Sequence, residues 1–179
     1  DITELLTLGK KNQLEVKVAK ESANRSINAA ERKADWWLFG GIYRPVWLEV
    51  LPQIHMKHFV LSADHKGKFQ ASIDMEGDAK GHEIVVSVRS LKDGKTVYTS
   101  NGQTTITHPI NNSGKEQMIS GEWTNIVPWS TEAPNLYVVK LELKNPEGKI
   151  VQTRETRIGF RTVEFFPQDG VYLDRKSVV

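Results

Sequence analysis

The chain has 179 residues, room for one large domain or two small ones, and its 39% hydrophobic content is enough for a packed core. Its 24 Lys and Arg are interspersed with 22 Asp and Glu, for a net charge of +2, so the basic stripe that nucleic-acid binding needs is missing. Without cysteine there is neither a disulfide framework nor a thiolate metal site, and no apolar run approaches the length that spans a bilayer.

In chain order, Ile2 to Leu8 can form one helical turn with Asp1 or Thr3 as cap. Leu14, Val16 and Val18 then alternate with Glu15 and Lys17, the period of a half-buried strand. Residues 19–34 are polar and read as loop or short helix. Ile42, Val46, Leu48 and Val50 share one face of the next predicted strand, and Arg44 breaks that face near its start. An Arg there reads as a structural ion pair before a substrate ligand, because a buried guanidinium demands a carboxylate.

After Pro52 a fresh series of short strands begins. Phe69, Ala71, Ile73 and Met75 alternate with polar residues, and Ile84, Val86 and Val88 repeat the pattern. Further strands are expected at 96–99, 104–107, 117–119, 136–143 and 150–158. The turns Asp93-Gly94, Asn101-Gly102, Ser113-Gly114 and Asn145-Pro146-Glu147-Gly148 separate them. Pro128 and Pro134 fix the approach to the strand at Leu136. Regular short strands with turns between them imply an all-β fold and a sandwich. Residues 52–163 fill one immunoglobulin-sized unit. Residues 1–51 are too few for a sandwich of their own and read as the end of a larger one. Residues 164–179 begin something new, so both ends read as cut from a longer protein.

The segment Asp35 to Val50, "DWWLFGGIYRPVWLEV", holds three of the chain's five tryptophans. Aromatic faces stack on sugar rings and a nearby carboxylate accepts hydroxyl hydrogens, so this concentration points to carbohydrate. Asp35 is the candidate acceptor; its plainer reading is a carboxylate that caps a turn. Trp36 and Trp37, adjacent in an extended segment, face opposite ways. Either one is core and the other faces a sugar, or both pack in the core or between domains. Gly40-Gly41 allows a bulge or unusual dihedrals. Trp123, Trp129 and Tyr137 read as core. His55 and His58, three apart on a strand, face opposite ways and lack a third ligand, so they do not make a metal site. Two matches to the glycosylation pattern, at Asn24 and Asn111, are of a kind that arises often by chance.

The same segment resembles glycoside hydrolase family 2, the family of β-galactosidases, β-glucuronidases and β-mannosidases. The resembling residues are Asp35-Trp36-Trp37, Gly41-Ile42-Tyr43-Arg44 and the strand Val46 to Glu49, preceded by "NQLEVKV". "PWSTEAPNLYVVKLEL", Pro128 to Leu143, is similar to a segment of that family's immunoglobulin-like second domain. "IGFRTVEF", Ile158 to Phe165, resembles the exit from it. "DGVYLDRKSVV" resembles the hairpin leading to the catalytic TIM barrel, although Leu173-Asp174-Arg175-Lys176 replaces the usual Leu-Asn-Gly-Lys.

The resemblance implies an immunoglobulin-like β-sandwich preceded by part of a jelly-roll (galactose-binding-like) segment. It further implies a parent enzyme whose paired glutamates lie in a barrel outside these residues, so the chain itself carries no catalytic pair. In that setting Asp35 reaches the barrel mouth and contacts sugar, with Trp36 and Trp37 beside it. The expected partners are the parent's own barrel, an oligosaccharide and a second copy of the chain, with neither nucleic acid nor membrane. The chain holds no cofactor of its own, and the parent uses a monovalent cation or Mg2+. The β-galactosidases are the favoured members. The competing reading is an independent β-sandwich module that binds a glycan or protein without chemistry.

Overall fold

The computed structural model describes residues 2–7, 9–32, 40–174, 176 and 177, with backbone alone at 31, 32 and 177. The chain divides into two compact units, Asp1–Glu49 and Val50–Val179.

Among its described residues the first unit holds a 3-10 turn, Thr3–Leu5, and a helix α1, Arg25–Arg32. The helix starts there because Asn24 caps it: its Oδ1 accepts the N–H of Ser26 at 3.0 Å and of Ile27 at 3.3 Å. The strands predicted at Leu14–Val18 and from Ile42 onward do not form. Neither stretch joins a ladder among the described residues, and Leu14, Val16, Val18, Ile42, Val46 and Leu48 are all exposed. Alternation defines a face, but a strand is held by cross-strand pairs and cover over that face. Arg44 also departs from expectation. It is exposed, and its guanidinium lies 5.6 Å from the centre of the Tyr43 ring, a solvated position that demands no carboxylate.

The second unit is nearly all strand. One sheet runs in the order β1 (His55–Ala63), β2 (Lys68–Glu76), β6 (Glu116–Thr124), β4 (Tyr98–Thr99). The other runs β5 (Thr105–Pro109), β3 (Glu83–Ser90), β7 (Tyr137–Lys144), β8 (Ile150–Ile158). All the ladders are antiparallel. This unit is therefore an all-β sandwich whose alternating residues meet in one core: Phe69, Ala71, Ile73 and Met75 from β2, Ile84, Val86 and Val88 from β3, and Val139, Leu141 and Leu143 from β7. Trp123 is fully buried and meets Phe69 edge-on, with ring centres 6.4 Å apart. Gly67, in the turn between β1 and β2, has φ +96°, and a Cβ there would stand 2.0 Å from the Trp123 carbonyl oxygen. Only glycine lets that turn close over the tryptophan.

Gln152 joins the open edges of the two sheets, β1 and β8. The Met56 N–H donates to Gln152 Oε1 at 2.7 Å, and Gln152 Nε2 donates to the Met56 carbonyl at 3.4 Å. The register of β1 against β2 slips just beyond, between Met56 and His58. A third, three-stranded sheet comes after the sandwich: β9 (Val163–Phe166), β10 (Gly170–Leu173) and β11 (Lys176–Ser177), in the order β11-β10-β9.

Candidate functional site

Asp35, Trp36 and Trp37 lie outside the described residues. Downstream of them, Gly41 takes φ +94°, and Tyr43 and Trp47 are 77% and 73% exposed. Such exposure leaves the Trp47 ring open to contact, whereas the Arg44 guanidinium lies 5.6 Å from the centre of the Tyr43 ring.

In the second unit the aromatic side chains expected in the core are structural, while Tyr98 and Phe165 are exposed. Trp123 and Tyr137 are buried, and Tyr137 meets Phe160 edge-on at 5.1 Å. The Val127 N–H donates to Tyr137 Oη at 2.7 Å, so the phenol pins the segment leading to β7. Trp129 is half-buried, with the Arg161 guanidinium 4.7 Å from its ring centre, and its N–H donates to the Phe160 carbonyl at 2.9 Å.

The titratable groups are dispersed. His55 Nδ1 lies 2.8 Å from the Pro52 carbonyl, and His58 is exposed. Among the described residues no group of three His, Asp or Glu could hold a metal ion, so the cation implied by the family resemblance finds no fitting donor set there. Asp74 and Glu116 stand opposite each other on β2 and β6, both exposed on the outer face, and the Ser72 hydroxyl donates to Glu116 Oε1 at 2.7 Å. Retaining glycoside hydrolysis places two carboxyls about 5 Å apart, flanking a bound sugar. These two share one open sheet face and do not flank a cleft.

A shallow groove crosses the same face between Ser62, Asp64, Lys68, Gln70, Ser120 and Glu122. Asp64 Oδ1 already accepts the N–H groups of Lys66 and Lys68, at 2.8 and 2.9 Å, which commits it to the turn. Elsewhere the carboxyls respond to local partners. Hydrogen bonding to Lys57 lowers Glu76, and bonds from Ser90 and Lys95 bring Asp93 to about 2. These are surface ion pairs and turn bonds, with no acid–base poise toward a substrate.

Sequence reasoning missed one cluster. His65, Thr162 and Asp174 come together across 97 and 12 residues of chain, and no local pattern signals such a meeting.

Comparison with known proteins agrees with the fold. The model of the glycosyl hydrolases family 2 matches residues 53–161, which span the sandwich. A putative beta-glucuronidase of Formosa agariphila is 28% identical over 196 residues, covering 100% of this chain and 21% of that protein. A beta-galactosidase of Priestia megaterium is 30% identical over 136 residues, covering 73% of this chain and 13% of that protein. The crystal structure of a Parabacteroides merdae beta-glucuronidase superposes with a TM-score of 0.60 at 24% identity, over 82% of this chain and 18% of that one, a likeness of fold. The chain thus spans about a fifth or less of the length of these relatives.

Proposed function

The chain belongs to glycosyl hydrolases family 2, and from that membership we propose that it is the non-catalytic β-sandwich portion of a retaining glycosidase that removes terminal β-linked galactose. The observation that carries this reading is the match of residues 53–161 to the family, set beside relatives several times longer than this chain. Most of such a protein, including room for a catalytic domain, lies beyond these residues. The sandwich then braces that domain. Beta-galactosidases recur among the relatives, which favours galactose over the glucuronate that other relatives' names indicate.

In this reading Asp35 is the chain's contribution to the sugar site. An ionised carboxylate accepts two hydroxyl hydrogens, and such charge-assisted bonds are about twice as strong as neutral ones. Trp36 and Trp37 flank it. The parent's own catalytic domain is the principal partner, and a monovalent cation or Mg2+ belongs to the parent.

The test is to express the longer parent chain and assay it on chromogenic β-galactosides, β-glucuronides and β-mannosides. Galactoside turnover is expected; preferential cleavage of glucuronides or mannosides refutes the substrate assignment. Asp35→Asn in that parent keeps the shape and weakens the charge-assisted bonds, so kcat/KM should fall about tenfold or more with the melting temperature little changed. Unaltered kinetics refute the role.

A second reading draws on the exposed Tyr43 and Trp47: an independent module that holds a glycan without chemistry. It requires measurable affinity of the 179-residue chain for oligosaccharides, lost on Trp47→Ala. The first reading requires that affinity to be negligible.

A further inference from the structure

The connection between β8 and β9, residues 159–162, is anchored on the sandwich for most of its length. Phe160 is fully buried and accepts the Trp129 N–H through its carbonyl at 2.9 Å, and the Arg161 N–H donates to the Ala63 carbonyl at 3.2 Å. Beyond Thr162 the pattern changes. Among the described residues, strands β9, β10 and β11 pair only with one another and form no ladder with either sandwich sheet.

Thr162 therefore stands at the junction, and it is gripped from both sides. From the sandwich, the turn between β1 and β2 brings His65: its N–H donates to Thr162 Oγ1 at 3.3 Å, and its ring Nδ1 lies 2.7 Å from the same oxygen. From the terminal sheet comes Asp174. Its Oδ1 accepts the Thr162 N–H at 2.7 Å, and its own N–H donates to the Thr162 carbonyl at 2.9 Å. This pair continues the β9–β10 ladder by one rung past Val163 and Leu173, with a carboxylate oxygen as one acceptor. Asp174 takes φ +49° to do so, a left-handed conformation that Asp and Asn tolerate better than most residues. His65 Nδ1 and Asp174 Oδ1 are 3.8 Å apart, and both side chains are three-quarters or more buried, at 25% and 18% exposure. The turn that carries His65 is itself rigid, closed over Trp123 at Gly67.

We propose that the terminal sheet β9–β11 is an arm hinged at Thr162, and that His65, Thr162 and Asp174 form the catch that fixes its angle to the sandwich. The sandwich side of the catch is stiff, and the arm holds itself together by its own ladder. The hydroxyl of Thr162 is then a link through which the orientation of one is imposed on the other, beside the weaker charge interaction of Lys176 in β11 with Glu132. Any polypeptide that a longer parent carries after β11 takes its direction from this catch. The proposal rests on the local geometry and stands apart from the glycosidase reading.

Residual dipolar couplings of the backbone amides in the 179-residue chain read the angle directly, with native-state hydrogen exchange as the check that each part stays folded. In the unaltered chain the arm and the sandwich share one alignment. Thr162→Val removes the hydroxyl and keeps the branched shape. It should scale the couplings of β9 and β10 down by about a third or more, the drop from rigid to flexible order, while those of β3 and β7 hold. His65→Ala should do the same from the opposite side. In both variants, amide protection within β9–β10 and within β3–β7 should be retained. Asp174→Asn, which keeps an acceptor oxygen and tolerates the left-handed backbone, should leave the couplings at their original values. Unchanged arm couplings in Thr162→Val and His65→Ala overturn the proposal. So does loss of protection in the arm or throughout the chain, because the cluster would then be maintaining the fold and not the angle.

Discussion

Replacing Gln152 by leucine keeps a side chain of similar reach and removes both atoms that join the open edges of the sandwich. The Met56 N–H loses its acceptor at 2.7 Å, and Met56 is fully buried, so the orphaned donor has no route to water without local opening. An unsatisfied buried donor costs about 1–3 kcal/mol. Leucine returns up to about 1 kcal/mol of apolar burial, because Gln152 is only 8% exposed and the site is already dry. The net loss is about 1.5 kcal/mol. The unit Val50–Val179 unfolds with an entropy of about 0.27 kcal/mol/K at its midpoint, which converts that loss into about 5 °C of Tm. Thermal unfolding followed by circular dichroism measures it, and hydrogen exchange at the Met56 amide should accelerate together with the fall in Tm. A variant whose Tm stays within about 1 °C of the original and whose Met56 amide stays protected would refute the reasoning. The Gln152 bonds would then contribute little to holding the two sheets at that edge.

Gly67→Ala places a Cβ 2.0 Å from the Trp123 carbonyl oxygen at φ +96°, with backbone on the other side of the clash. The combined overlap and backbone strain should lower stability by about 3 kcal/mol, read as a shift of the urea midpoint at constant slope; a shift worth less than about 1 kcal/mol would show that the turn relaxes cheaply. Asp93 is held at about 2, below its ordinary 3.8, first by the Ser90 hydroxyl and then by Lys95. Its folded pKa is depressed, so the stability it contributes is present above about pH 4 and is lost as pH falls toward 2. Ser90→Ala should move the Asp93 titration, followed by carboxyl carbon NMR, upward toward 3.8, and an unmoved midpoint would assign the depression to Lys95 instead.

How far the sequence carried depends on what each pattern encodes. The alternations at Phe69–Met75, Ile84–Val88 and Leu136–Leu143 became β2, β3 and β7 because the faces they define meet one another across 10 Å or so of sandwich. Leu14–Val18 carries an alternation just as regular and remains exposed and unpaired in a ladder. Period-2 spacing specifies which side of a segment needs cover, and the cover comes from elsewhere in the fold. β6 makes the converse point. Its inward residues include Gln117 and Gly121 beside Ile119 and Trp123, so its pattern is weak, and its place is set by pairing with β2 over seven successive positions from Lys68 to Asp74.

The same distinction governs the functional reading. Asp35, Trp36 and Trp37 were legible as a group because they are adjacent in sequence, and their placement lies outside the described residues. His65, Thr162 and Asp174 are described and closely bonded, yet each is unremarkable in its own neighbourhood: a turn histidine, a linker threonine and an aspartate after a strand. What singles out Asp174 is that it takes a left-handed φ of +49° while setting a carboxylate oxygen 2.7 Å from the Thr162 amide nitrogen. Asparagine at that position would supply a neutral oxygen to the same N–H. Either oxygen accepts that amide hydrogen, so what matters is where the acceptor stands, 2.7 Å from the Thr162 nitrogen. Position 174 therefore ties the terminal sheet to its junction through an acceptor oxygen on a left-handed backbone, which is why Asp174→Asn should leave the arm couplings unchanged while Thr162→Val lowers them.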